Sequence, residues 1–123
     1  MPSGSSAGSR TIAAAAARAA ADKQAQDVVI LDVHELIVIT DYFVVCTGTS
    51  DRQVKTLVEE IEKALRALGE KPVRREGEQG SRWVLLDYVD VVVHIFQKEM
   101  REFYRLENLW GDAEIEMIRD YME

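Results

Sequence analysis

Few side chains in this sequence could act as a nucleophile or a general base: one cysteine, Cys46, and two histidines, His34 and His94. Covalent catalysis needs the attacking atom beside an activating base. Cys46 stands inside the apolar run YFVVCT, where a free thiol behaves as a small buried hydrophobe. His94 sits between Val93 and Ile95, and strand alternation places it on the face shared by Val92 and Phe96. No second catalytic group is spaced to meet it, so it reads as a structural or interface histidine.

The carboxylates Asp87 and Asp90 are the strongest enzymatic candidates. Together with the loop Thr47-Gly48-Thr49-Ser50, which follows one strand and opens a helix, they could hold Mg²⁺ for nucleotidyl transfer. Two features weaken that reading. A spacing of three puts the carboxylates on different strand faces. The loop also has neither the Lys of a P-loop nor the three glycines of a dinucleotide fingerprint, and so no cation to clamp a triphosphate. Capping by Ser50 accounts for the loop without a ligand. We expect no catalytic centre, no cofactor and no metal site, and with a single cysteine neither a disulfide framework nor a zinc cluster is available.

The aromatic residues point elsewhere. Trp83, Tyr88, Phe96, Phe103, Tyr104 and Trp110 all fall in the last third of the chain, interleaved with Arg82, Asp87, Asp90, Arg101 and Glu102. Part of that set must fill the core, but aromatics and arginine beside acidic groups are also the composition of protein-binding hot spots.

These residues need a scaffold, and 123 residues at 47% hydrophobic content are enough for one domain with a real core. A formal charge of −7 repels a phosphate backbone, so a protein of this kind working near nucleic acid would touch it through a basic protein and not read it directly. Met1 to Ala21 carries only two basic residues and is rich in alanine, unlike a signal peptide or a membrane span. A cytoplasmic location with no membrane contact is the expectation.

Residues 1–10 (MPSGSSAGSR) read as a flexible lead. Thr11 to about Gln26 predicts a thin alanine-rich helix able to lie close to a sheet. Val28 to Val33 and Tyr42 to Thr47 are strand candidates. Ser50 and Gln53 are placed as a capping box for a helix whose apolar stripe runs from Val54 to Leu68, with Gly69 as its stop. A short edge strand at Val73 to Glu76 follows. Trp83 to Tyr88 and Val91 to Phe96 then form a hairpin across Val89 and Asp90, although Val89 suits a tight turn poorly. A last helix is expected from near Gln97 to Trp110, ahead of an acidic tail at residues 112–123. The expected architecture is a single α/β (mixed α+β) domain spanning residues 11–111, a mixed five-stranded sheet with packed helices.

Four blocks carry a resemblance: ITDYFVVCTGTSDRQV (39–54), the isolated Glu76-Gly77, WVLLDYVDVVVHIF (83–96) and REFYRLENLWGDA (101–113). In order and spacing they resemble the ribosomal silencing factors of the Iojap-like family. The resemblance implies a nucleotidyltransferase-like core without an active site. It also implies a non-enzymatic factor that binds the large ribosomal subunit through a basic protein, large-subunit ribosomal protein fourteen. Such a factor blocks joining of the small subunit and represses translation when nutrients are scarce; homodimers in isolation are implied as well. The motif positions assign a docking face to Trp83, Asp87, Tyr88, Asp90, His94, Phe96, Arg101, Glu102 and Tyr104. This chain departs from the family in having Val89 where glycine is frequent. The competing readings are a small Mg²⁺-dependent nucleotidyltransferase and a homodimeric adaptor with another partner.

Overall fold

The computed structural model describes residues 8–34, 40–77, 82–99 and the backbone of Glu114–Met117. The chain order is α1 (Ser9–Asp22), β1 (Gln26–Asp32), β2 (Tyr42–Gly48), α2 (Asp51–Arg66), β3 (Arg74–Glu76), β4 (Trp83–Asp87), β5 (Val91–Gln97) and β6 (Glu114–Met117). All five expected strands form, and the sheet is mixed with helices packed on it. A sixth strand comes from the segment expected as an acidic tail.

Alanine in the first helix has a clear packing consequence. Ala13, Ala16, Ala17 and Ala20 are fully buried, so α1 packs against the sheet and α2 mostly through small side chains, with Ile12 its one large buried aliphatic. The helix begins at Ser9, capped by Gly8, two residues inside the stretch expected to be a flexible lead. The strong helix propensity of the alanine run carries the first turn back through Arg10 and Ser9.

The start of α2 follows from local chemistry. Ser50 Oγ accepts from the Gln53 backbone N–H at 3.1 Å, while Gln53 Oε1 accepts from the Thr49 N–H at 2.7 Å. The same Gln53 amide donates to the carbonyls of Lys23 and Gln24, tying this helix to the turn after α1. Val54, Leu57, Val58, Ile61 and Leu65 form the buried stripe. Each large aliphatic side chain so buried contributes about 1.5–3 kcal/mol relative to exposure. At the far end the Glu70 N–H donates to the Leu65 carbonyl and the Gly69 N–H to the Arg66 carbonyl, with Gly69 at φ 84°.

The strand order is β3-β4-β5-β2-β1-β6, with β2 and β5 parallel and every other pair antiparallel. The chain leaves β2 through α2, crosses to the edge at β3 and returns by the β4–β5 hairpin, which makes β5 the parallel neighbour of β2. The helices pack on the face carrying Val28, Ile30, Val44, Cys46, Val84, Leu86, Val93 and Ile95. On the opposite face Val29, Leu31, Val33, Val45 and Phe96 form a second cluster, joined by Phe43 and Trp83.

The hairpin closes as expected across Val89 and Asp90, the Tyr88 N–H donating to the Val91 carbonyl at 2.9 Å. Val89 adopts φ 73°, a left-handed conformation unusual for a β-branched residue. Asp87 supports it by accepting the Val89 N–H on Oδ1 at 2.8 Å. The expected last helix from Gln97 falls largely outside the described residues; Gln97 itself ends β5.

Candidate functional site

The sheet face opposite the helices gathers most of the predicted docking residues that are described. β4 alternation sends Trp83, Leu85 and Asp87 to that face and Val84 and Leu86 to the helix side. β5 sends Val92, His94 and Phe96 to the same face as Trp83. Trp83 is half-buried; its ring centroid lies 4.8 Å from that of Phe96 and 5.8 Å from that of His94. Phe43 on β2 meets the His94 ring edge-on at 4.8 Å.

The link between Trp83 and His94 sets the electrostatics. The indole Nε1 donates to His94 Nδ1 at 3.1 Å. An indole N–H can only donate, so Nδ1 must be unprotonated and the neutral ring carries its proton on Nε2. Burial keeps the ring neutral by penalising the imidazolium, pushing the His94 pKa down from 6.5 to about 4. Nε2 has no hydrogen-bond partner among the described residues, and neither has the buried hydroxyl of Thr40.

Thr40 and His94 line a common open cavity of about 410 Å³, together with Phe43, Arg74, Leu85, Asp87, Val89 and Val92. Arg74 pairs across the β3–β4 ladder with Asp87 at 3.6 Å and along its own strand with Glu76 at 3.3 Å. Such exposed pairs contribute little to stability, and here they define the charge at one side of the cavity.

Two residues expected on the docking face are core residues instead. Tyr88 lies five positions beyond Trp83, which alternation assigns to the other side, and it is buried in the helix-side cluster. Burial and then the nearby Glu62 push its phenol pKa up to about 12. Phe96 lies on the expected face but is fully buried beneath Trp83, so it supports the indole without reaching a partner directly. Asp90 is exposed at the hairpin turn, and its carbonyl accepts the N–H groups of Asp41 and Tyr42, holding the turn to the start of β2. Arg101, Glu102 and Tyr104 lie outside the described residues. Thr40, which the sequence reading did not single out, also lines the cavity; it falls inside the block ITDYFVV, two residues ahead of β2.

The geometry also bears on chemistry. Cys46 and His94 come from paired strands but point to opposite sheet faces, so they cannot act as a dyad. Asp87 is occupied by the Val89 N–H and by Arg74. Among the described residues there is no group of His, Cys, Asp and Glu fit to hold a metal ion, and no helix long and apolar enough to cross a membrane.

Residues 6–122 match the family described as Ribosomal silencing factor during starvation. The chain is 43% identical over 104 residues to Ribosomal silencing factor RsfS of Bacillus subtilis, covering 85% of this chain and 88% of that protein. It is 35% identical over 106 residues to Protein Iojap, chloroplastic, of Zea mays, covering 84% of this chain and 45% of the maize protein. Among solved structures, a crystal structure of a protein from Chromobacterium violaceum superposes with a TM-score of 0.81 at 35% identity, covering 85% of this chain and 88% of that one.

Proposed function

This chain belongs to the family of ribosomal silencing factors, and we propose that it docks on the large ribosomal subunit through a basic ribosomal protein, large-subunit protein fourteen. Seated there, it blocks joining of the small subunit and lowers translation when nutrients are limiting, acting in the cytoplasm by occlusion and without catalysis. The observation that carries the reading is the 43% identity to a ribosomal silencing factor over 85% of the chain. A formal charge of −7 favours a basic partner, both in steering the encounter and in rejecting bare nucleic acid.

We assign the docking face to the sheet side that carries Trp83 and Asp87, with Asp90 at its turn and Arg101, Glu102 and Tyr104 as further members. His94 and Phe96 back this face and set the pose of Trp83. The exposed Val73 and Val89 lie at the same end of the sheet, and a second copy covering them would compete with the ribosome for this surface.

The direct test is co-sedimentation of the purified protein with separated large and small subunits. Binding to large subunits alone, with fewer joined ribosomes, supports the reading. A saturable rise in melting temperature with ATP or GTP and Mg²⁺ would instead support the nucleotidyltransferase reading, because a ligand bound only by the native state stabilises it.

A further inference from the structure

Two residues that line one cavity each hold a buried polar group without a protein partner among the described residues: Nε2–H of His94 and the hydroxyl of Thr40. Buried donors are nearly always paired, so two orphans lining one opening mark a place where an incoming group completes the bonding. The bond from Trp83 fixes the histidine tautomer with its proton on Nε2, so the residues of the cavity wall hold two unpaired donors, and the threonine hydroxyl can also accept. Its other walls are the apolar side chains of Phe43, Leu85, Val89 and Val92, with Arg74 and Asp87 at one side.

Building on the ribosome-docking reading, we infer that this cavity seats a segment of the partner protein that inserts an uncharged hydrogen-bond acceptor among apolar groups: a main-chain carbonyl or the amide carbonyl of Asn or Gln. A carboxylate is disfavoured because the Asp87 carboxylate lines the same cavity and the Arg74 cation is already shared between Asp87 and Glu76. An ammonium or guanidinium has no acceptor to offer Nε2–H.

Thr40→Val tests this, since it keeps the shape and removes the hydroxyl. Deleting an unpaired buried hydroxyl leaves nothing unsatisfied in the free protein, so the variant should melt at the wild-type temperature or above it. Its affinity for isolated large subunits should nevertheless fall by about 5- to 30-fold, the loss of one good hydrogen bond. Thr40→Ser, which keeps the hydroxyl, should bind within about 3-fold of wild type on the same grounds. Wild-type binding by the valine variant overturns the inference alone. So does weakened binding that tracks a lowered melting temperature in both variants, because Thr40 would then be a structural residue. Failure of the wild-type protein to bind large subunits overturns the docking reading and this inference with it.

Discussion

The indole N–H of Trp83 runs diagonally across the β4–β5 ladder to Nδ1 of His94, at 3.1 Å, while its direct cross-strand partner is Phe96. This half-buried aromatic side chain of the proposed docking face is thus held by a polar bond on one side and a ring contact on the other. A partner meeting this face finds the tryptophan already posed, which lowers the ordering cost of association.

Replacing Trp83 separates the two contributions. Trp83→Phe keeps an apolar ring over Phe96 but leaves Nδ1 of the buried His94 without a donor, which should cost about 1–3 kcal/mol of stability in urea denaturation. Trp83→Ala should in addition weaken large-subunit binding by about 2 kcal/mol or more. A folded alanine variant that co-sediments normally would remove Trp83 from the docking face.

The buried histidine gives stability a pH dependence whose sign is fixed. The folded pKa, about 4, lies below the ordinary 6.5, so between these values the unfolded chain binds the proton and the folded protein does not. Stability from this group is therefore complete above about pH 6.5 and lost progressively on acidification to about pH 4, a total on the order of 3 kcal/mol. His94→Gln should flatten that part of the wild-type curve of unfolding free energy against pH. Parallel curves for the two proteins would show that His94 titrates normally.

Val89 is a site where a small change should help. A β-branched residue at φ 73° pays a steric cost of roughly 1–2 kcal/mol that glycine avoids. Some of this gain is offset by the greater freedom of glycine in the unfolded chain. Val89→Gly should raise stability by about 0.5–1 kcal/mol, read as a higher denaturation midpoint at unchanged slope. A lower midpoint would mean that the valine side chain makes a contact worth more than the strain.

The start and stop of α2 are legible in the sequence because capping is local chemistry, complete within Ser50–Gln53 and Leu65–Glu70. The β4–β5 hairpin is legible for a similar reason, and the poor fit of Val89 to a tight turn has its counterpart in a positive φ. Sheet order is not readable in this way. β2 and β5 are both β-branched runs, and their parallel pairing is decided by the path through α2 and the β3 edge, which neither segment encodes by itself. Tyr88 and Trp83 share one motif block but not one face, because a motif groups residues by position along the chain, whereas alternation alone sets Tyr88 opposite Trp83. The cavity could not be foreseen, since Thr40, Leu85 and His94 become neighbours only once β2, β4 and β5 are assembled.

Tyr88 provides the sharpest check on the face assignment. Its hydroxyl is buried without a partner among the described residues, and its ring packs in the helix-side cluster. Tyr88→Phe removes an unsatisfied polar atom and keeps the ring, so stability should hold or rise by up to about 1 kcal/mol at neutral pH. The phenol pKa is about 12 when folded against 10 when free, so only the unfolded chain ionises between those values; wild-type stability should fall as pH rises above 10, and the phenylalanine variant should lack that loss. Affinity for large subunits should be unchanged, because the side chain points away from the proposed docking surface. If Tyr88→Phe weakens binding while leaving the fold intact, the partner reaches the helix side of the hairpin, and the docking surface must be moved from the Trp83 face to the end of the sheet.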